Sequence, residues 1–107
     1  MFRKESQMSG IELIVAERRR QIDEEGWTPE HDDEHTTCEL IDAALCYAGV
    51  AGSQILDSDG GTEAKEAMLA EWPWSKQWWK PSDDPIRNLT KEAALLAAEI
   101  DRLERKR

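Results

Sequence analysis

From Asp84-Pro85 to the C-terminus, Ile86, Leu89, Ala93, Leu96, Ile100 and Leu103 recur at alternating spacings of three and four. An α-helix puts such residues on one face and a β-strand cannot. The Asp-Pro pair is itself a helix start, with Asp as the cap and Pro at the first helical position, where its missing amide costs nothing. This segment therefore predicts the longest helix of the chain. Its apolar seam is suited to packing on the other helices or on a symmetry mate.

The rest of the chain has the same character. Ser9-Gly10-Ile11-Glu12 fits a capping box, in which the Ser hydroxyl and the Glu carboxylate satisfy free amides at a helix start. A first helix is expected to about Glu25, with Ile11, Ile14, Val15 and Ile22 along one side, Arg18 within the stripe, and Gly26 as the left-handed residue after the last turn. That arginine is either an edge residue with a snorkelling stem or an anion ligand. Thr36-Thr37-Cys38-Glu39 repeats the box and opens a second helix, whose apolar face holds Leu40, Ile41, Ala44, Leu45, Tyr47 and Ala48 until Gly49 and Gly52 weaken it. Its alanines favour close helix approach. From Ser53 to Glu71 a flexible loop containing Asp59-Gly60-Gly61 precedes a short, weakly amphipathic helix. With no alternating strand pattern of useful length and no internal repeat, the expected fold is all-α. It has three main helices and a Trp-rich connection in a single domain over residues 1–107, with residues 1–8 as a flexible tail.

A 107-residue chain leaves much of its surface in water, which favours a homo-oligomer. No run of about 18 apolar residues and no signal-peptide core is present, so the expected location is cytoplasmic and away from membranes. Cys38 and Cys46, eight positions apart on one helix, lie about 12 Å apart along its axis and cannot pair with each other. The net charge of −9 opposes direct nucleic-acid binding. From Gln21 to Asp42, however, the charged side chains are all acidic. Such a run is a solvated face, a divalent-cation site, or a surface that imitates DNA.

Four of the five tryptophans fall in Trp72-Pro73-Trp74-Ser75-Lys76-Gln77-Trp78-Trp79-Lys80-Pro81. The fifth, Trp27, opens Gly26-Trp27-Thr28-Pro29-Glu30-His31-Asp32-Asp33-Glu34-His35. Both runs are polar connections, where binding groups concentrate. Indole faces stack on planar bases without reading sequence. Phosphates would be met by Arg18, Lys80, Arg87 and Lys91; His31 and His35 would donate to phosphate or ribose, and Asp32 or Asp33 would accept ribose hydroxyls. With Gln21, Tyr47, Trp72, Trp74, Trp78 and Trp79 these form a candidate site for a nucleotide-like small molecule. The competing structural reading makes Trp72 and Trp74 fasteners of the long connection, has Asp33 and the Thr after it cap the second helix, and places at least two of the five indoles in the core. His31 and His35 have the spacing to grip one metal on a helix, but the run follows Pro29 and precedes a capping Thr, which makes it a turn. A Mg²⁺ held by Glu24, Glu25, Glu39 and Asp42 from two antiparallel helices is the alternative cofactor. Nothing resembles a nucleophile elbow, a Gly-rich phosphate loop or a Cys-His pair.

These two runs, with Glu17-Arg18-Arg19-Arg20-Gln21 ahead of the first and Arg87-Asn88-Leu89-Thr90-Lys91 and Ala98-Glu99-Ile100-Asp101-Arg102-Leu103 after the second, resemble a family of small proteins from tailed phages and prophages. The likeness covers most of the chain. It implies an accessory protein in the host cytoplasm and carries no activity. Cys38 stands where that pattern has glycine. Gly26-Trp27 followed by Asp and His is similar to the ryanodine-receptor repeat domain, a small helical module. Glu39-Leu40-Ile41-Asp42 with Glu24-Glu25 resembles the all-α nucleoside triphosphate pyrophosphohydrolases of the MazG type, which implies Mg²⁺ on those four carboxylates. Three functions follow as expectations: non-catalytic sequestration of a nucleotide-like defence signal such as an ADP-ribose derivative or cyclic nucleotide, a Mg²⁺-dependent pyrophosphohydrolase, and an acidic, DNA-mimicking inhibitor of a host protein.

Overall fold

The computed structural model describes residues 7–57 and 59–107, so most of the tail expected over residues 1–8 lies outside the described residues. It is all-α, with no strand among the described residues. The helices are α1 (Gly10–Asp23), α2 (Pro29–Asp32), α3 (Glu39–Leu56), α4 (Thr62–Glu71) and α5 (Pro85–Arg105), with a 3-10 turn at Lys76–Trp78. No helix is long and apolar enough to cross a membrane among the described residues.

Local chemistry sets most boundaries. The Ser9–Glu12 box forms, with the Glu12 amide donating to Ser9 Oγ and the Ser9 amide to Glu12 Oε1. Asp84 Oδ1 accepts from the Ile86 amide ahead of α5. The His31–His35 run is largely the expected turn, with Asp33 and Glu34 as turn residues after a single helical turn that ends at Asp32. Thr28 Oγ1 accepts from the His31 amide and Pro29 occupies the first helical position, which together nucleate the single turn of α2.

The box expected at Thr36 does not form. The residue capping α3 is Cys38, in the left-handed region at φ 70°, and its side chain makes no capping bond. Glu39 instead bonds the amide and hydroxyl of Thr37 at 2.7 and 2.8 Å. Those bonds bring its carboxyl down to about 2. A left-handed backbone costs a side-chain-bearing residue about 1–2 kcal/mol. Glycine, the residue of the resembling pattern, avoids that cost, so Cys38→Gly should stabilise the fold by about 0.5–1 kcal/mol after its greater unfolded-state entropy is counted. Chemical denaturation with an unchanged m-value is the check.

The core lies between α3 and α5. Ala43, Ala44 and Ala51 of α3 and Ala94, Leu95 and Ala98 of α5 are buried, and the alanines let the two helices approach closely. α3 continues through both glycines. A Cβ on Gly49 would come within 2.9 Å of Met68 Sδ, so this glycine gives α4 room to pack. Leu45, expected on the buried face, points outward.

The larger departure concerns α1 and α5. Ile11 is 77 % exposed and Val15 is also exposed, whereas Glu17 and Gln21 are the buried residues of α1. On α5 the expected seam faces solvent at Ile86, Leu89, Leu96, Ile100 and Leu103, while Asn88, Thr90, Glu99 and Arg102 join the alanines on the inner face. Those polar groups are bonded, except for Arg102 Nη1, which is covered without a partner among the described residues. Asn88 Nδ2 donates to Gln54 Oε1 and Ser82 O, and Arg102 Nε donates to Glu99 Oε1 at 2.5 Å. Helical period establishes that an apolar face exists; the alanine contact with α3 decides which way it points.

Candidate functional site

The tryptophans sort into an inner and an outer tier. Trp72, the one buried indole, meets Tyr47 edge-on at 5.6 Å between centroids and lies 4.9 Å from the half-buried Trp79. Its Nε1 donates to Ser75 O, and Trp79 Nε1 donates to Lys65 O. This inner tier belongs to the core, as the structural reading of Trp72 anticipated. Trp74 bridges outward, 5.3 Å from Trp72, 5.7 Å from Trp27 and 4.9 Å from His35.

Trp27, Trp74 and Trp78 line an open pocket of about 520 Å³ together with Glu25, Gly26, His31, His35, Pro73 and Ser75. That volume falls in the range of small-molecule sites. The pocket lies where the two tryptophan-bearing connections meet. Gly26, at φ 75°, makes the left-handed step that lets the Trp27 amide donate back to Gln21 O at 3.0 Å. His31 and His35 sit ring edge to ring face at 4.9 Å, and His35 Nδ1 lies 3.5 Å from Glu39 Oε2. Three ring nitrogens at this wall, His31 Nδ1, His35 Nε2 and Trp74 Nε1, are covered yet have no hydrogen-bond partner among the described residues. Gln21 Oε1 and Arg102 Nη1, which do not line the pocket, are likewise covered without a partner; such groups are scarce in folded proteins, and each calls for a water, an ion or a ligand to complete it.

Arg18 is the anion ligand of the two alternatives, and its anion is internal. Its Nη2 donates to Asp32 Oδ2 at 2.5 Å and its Nη1 to Trp27 O at 3.2 Å. Asp32 is 1 % exposed, and burial raises its carboxyl above the usual range against the opposing charge of Arg18. The pair clamps the pocket's far wall, Trp27 and α2, onto α1.

The remaining candidates lie beside the pocket. Glu17 is gripped by Arg20 at 2.9 Å and Arg87 at 2.6 Å. Burial pushes its carboxyl up, but the two guanidinium hydrogen bonds outweigh that and hold it low. Gln21 Nε2 donates to Glu17 Oε2. Gln21, Tyr47, Lys80 and Lys91 line a void of about 10 Å³, room for one water, that shares Glu25, Trp27 and Trp78 with the pocket. Tyr47 Oη accepts from the Lys80 amide, and burial pushes this phenol up to about 12. Lys91 Nζ donates to Lys80 O and sits 5.3 Å over the Tyr47 ring; burial, then Arg87, brings it down to about 8. Lys80 Nζ lies 5.4 Å over Trp78 and 4.0 Å from Glu25, with a 57 % exposed side chain. Asp33 neither caps α3 nor enters the pocket; it binds Arg105 at 2.7 Å. Of the four expected phosphate ligands, Arg18 and Arg87 are thus consumed by carboxylates and Lys91 by a carbonyl. Lys80 is the one near the mouth.

Glu25, Gly26, Pro73 and Ser75 line the pocket and were not among the expected ligand contacts. Gly26, Pro73 and Ser75 are chain neighbours of a pocket tryptophan and Glu25 lies two positions from one, and that proximity was the available signal. The alternative magnesium set is not assembled: among the described residues no three His, Cys, Asp or Glu side chains form a metal-holding group. Glu25 is bound to Arg20 and Glu39 to Thr37. Both thiols are free, and burial raises that of Cys46 to about 11, which makes it unreactive. In comparisons with known proteins, no family model, curated protein or solved structure matches the chain.

Proposed function

We propose that the chain binds a nucleotide-like small molecule, with its flat ring against the outer indoles, and holds it without turnover. The observation carrying this reading is the pocket of about 520 Å³ whose wall combines Trp27, Trp74 and Trp78 with His31 and His35. Stacking on an indole contributes about 1–3 kcal/mol per base. The imidazoles supply edges for ring or ribose hydrogen bonds, and Glu25 accepts a hydroxyl or an exocyclic amine. Because three of the four expected cations are engaged inside the protein, the pocket favours the base and sugar and leaves phosphates at the mouth, beside Lys80. Together with the resemblance to phage proteins, this fits removal of a host defence signal, such as an ADP-ribose derivative or a cyclic nucleotide, from the cytoplasm.

Isothermal titration with nucleosides, nucleoside monophosphates, ADP-ribose and cyclic nucleotides tests the reading. Binding of one molecule per chain is expected, with a micromolar Kd equivalent to about −8 kcal/mol. Absence of heat with every member of the panel at millimolar ligand would overturn it.

A further inference from the structure

α5 carries its polarity the wrong way round for a lone chain. Its inner face holds a bonded Glu99–Arg102 pair and Asn88, while Ile86 and Ile100 are each 60 % exposed and Leu103 is 50 % exposed. The five exposed side chains of the seam leave on the order of 500 Å² of apolar surface in water, comparable to the largest patch a typical monomer shows and more than half of one partner's share of a standard interface. The spacing of three and four along this face is that of a coiled-coil seam, which fits a helix of equal period. A second α5 is such a helix.

Charge fixes the direction. α5 begins after Asp83-Asp84 and ends in Arg105-Lys106-Arg107. Asp83, Lys106 and Arg107 are all exposed; Asp83 also pairs with Lys65 and Arg107 with Glu104 within the chain, which leaves Asp84 and Lys106 without an ion pair among the described residues at the two ends. A parallel pair would set acid beside acid and base beside base, and would align two helix dipoles. An antiparallel pair sets each basic end beside the partner's acidic start. In that arrangement Ile86 meets the partner's Leu103, Leu89 meets the partner's Ile100, and Ala93 meets the partner's Leu96, so every layer joins unlike positions of the repeat. We infer that the chain forms a two-fold symmetric dimer in solution through the solvent-facing seam of α5, with the two helices antiparallel.

Light scattering on the eluting 107-residue chain tests this at roughly 100 µM, where an interface of micromolar affinity is occupied. The expected mass is twice the 12.2 kDa of one chain. Leu96→Glu should weaken association by roughly 100-fold or more, because it buries an unpaired charge at the centre of the seam. Its circular dichroism should be unchanged, since Leu96 is exposed in the single chain. Leu56→Glu, at the exposed end of α3, should leave the dimer intact. The double variant Lys106→Glu/Arg107→Glu places acid beside the partner's Asp83 and Asp84 and should loosen the antiparallel dimer at low salt, whereas in a parallel pair it exchanges one like-charge contact for another and leaves association little changed. A single-chain mass for the unaltered protein, a dimer undisturbed by Leu96→Glu, loss of the dimer in Leu56→Glu, or a dimer not loosened by the double charge reversal would each overturn the inference.

Discussion

Arg18→Met should destabilise the protein by about 3–5 kcal/mol, the range for breaking a buried ion pair and stranding one partner. Asp32, at 1 % exposure, would lose the guanidinium that bonds it at 2.5 Å, and Trp27 would lose the hydrogen bond to its carbonyl. The methionine keeps the apolar stem, so the loss measures charge rather than packing. A pH series separates the two further. Burial already holds the Asp32 carboxyl above its ordinary value of 3.8 while Arg18 opposes the rise; without Arg18 it rises further. Above the unfolded value the folded state then binds more protons than the unfolded state, so the variant regains stability as pH falls through the raised folded value. The deficit against the unaltered protein should therefore shrink toward pH 4 in urea denaturation. A deficit constant with pH would mean that Arg18 acts through its hydrogen bond to the Trp27 carbonyl and not through the Asp32 charge. Because Asp32 and Trp27 flank the pocket, the same variant should lose ligand affinity even where it remains folded.

Trp74→Ala should cost about 3 kcal/mol, near the low end for truncating a tryptophan in a core, because the side chain is half-buried. Its ring lies within 6 Å of Trp27, Trp72 and His35. Its removal detaches the outer aromatic tier from the inner one. Trp78→Ala is the informative contrast. That indole is 37 % exposed and carries Lys80 over its face, so its loss should change stability by less than about 1 kcal/mol. If it stacks on the occupant, affinity should nonetheless fall roughly 10- to 100-fold, the equivalent of about 1–3 kcal/mol. Thermal melts and titrations of the two variants distinguish an indole that supports the wall from one that meets the ligand. Equal losses of stability in both would place Trp78 in the packing and remove it from the site.

The features readable from sequence are those decided within a few residues. The Ser9–Glu12 box and the Asp84-Pro85 start both form, because each bond spans no more than one helical turn. The Thr36 box failed for an equally local reason: the left-handed Cys38 intervenes, and nothing in a cysteine signals that conformation. The position of the pocket was legible from the two tryptophan runs and the histidines between them. Its electrostatics were not. Arg18 reaches Asp32 across 14 positions and Arg87 reaches Glu17 between α5 and α1, pairings that only the tertiary arrangement creates. Periodicity likewise located the apolar face of α5 without revealing that Ala94, Leu95 and Ala98 would take the core side. Which indoles are core and which are wall was open in the sequence for the same reason. Composition counts the rings, and packing assigns them.

The most direct measurement follows the five indole N–H resonances of ¹⁵N-labelled protein while adenosine monophosphate or ADP-ribose is added. Trp27, Trp74 and Trp78 line the pocket, so their signals should move together and saturate with one bound molecule. The signals of Trp72 and Trp79, whose N–H groups are bonded to Ser75 and Lys65 carbonyls, should stay within a linewidth. Stationary indole signals throughout, or shifts confined to Trp72 and Trp79, would contradict the account.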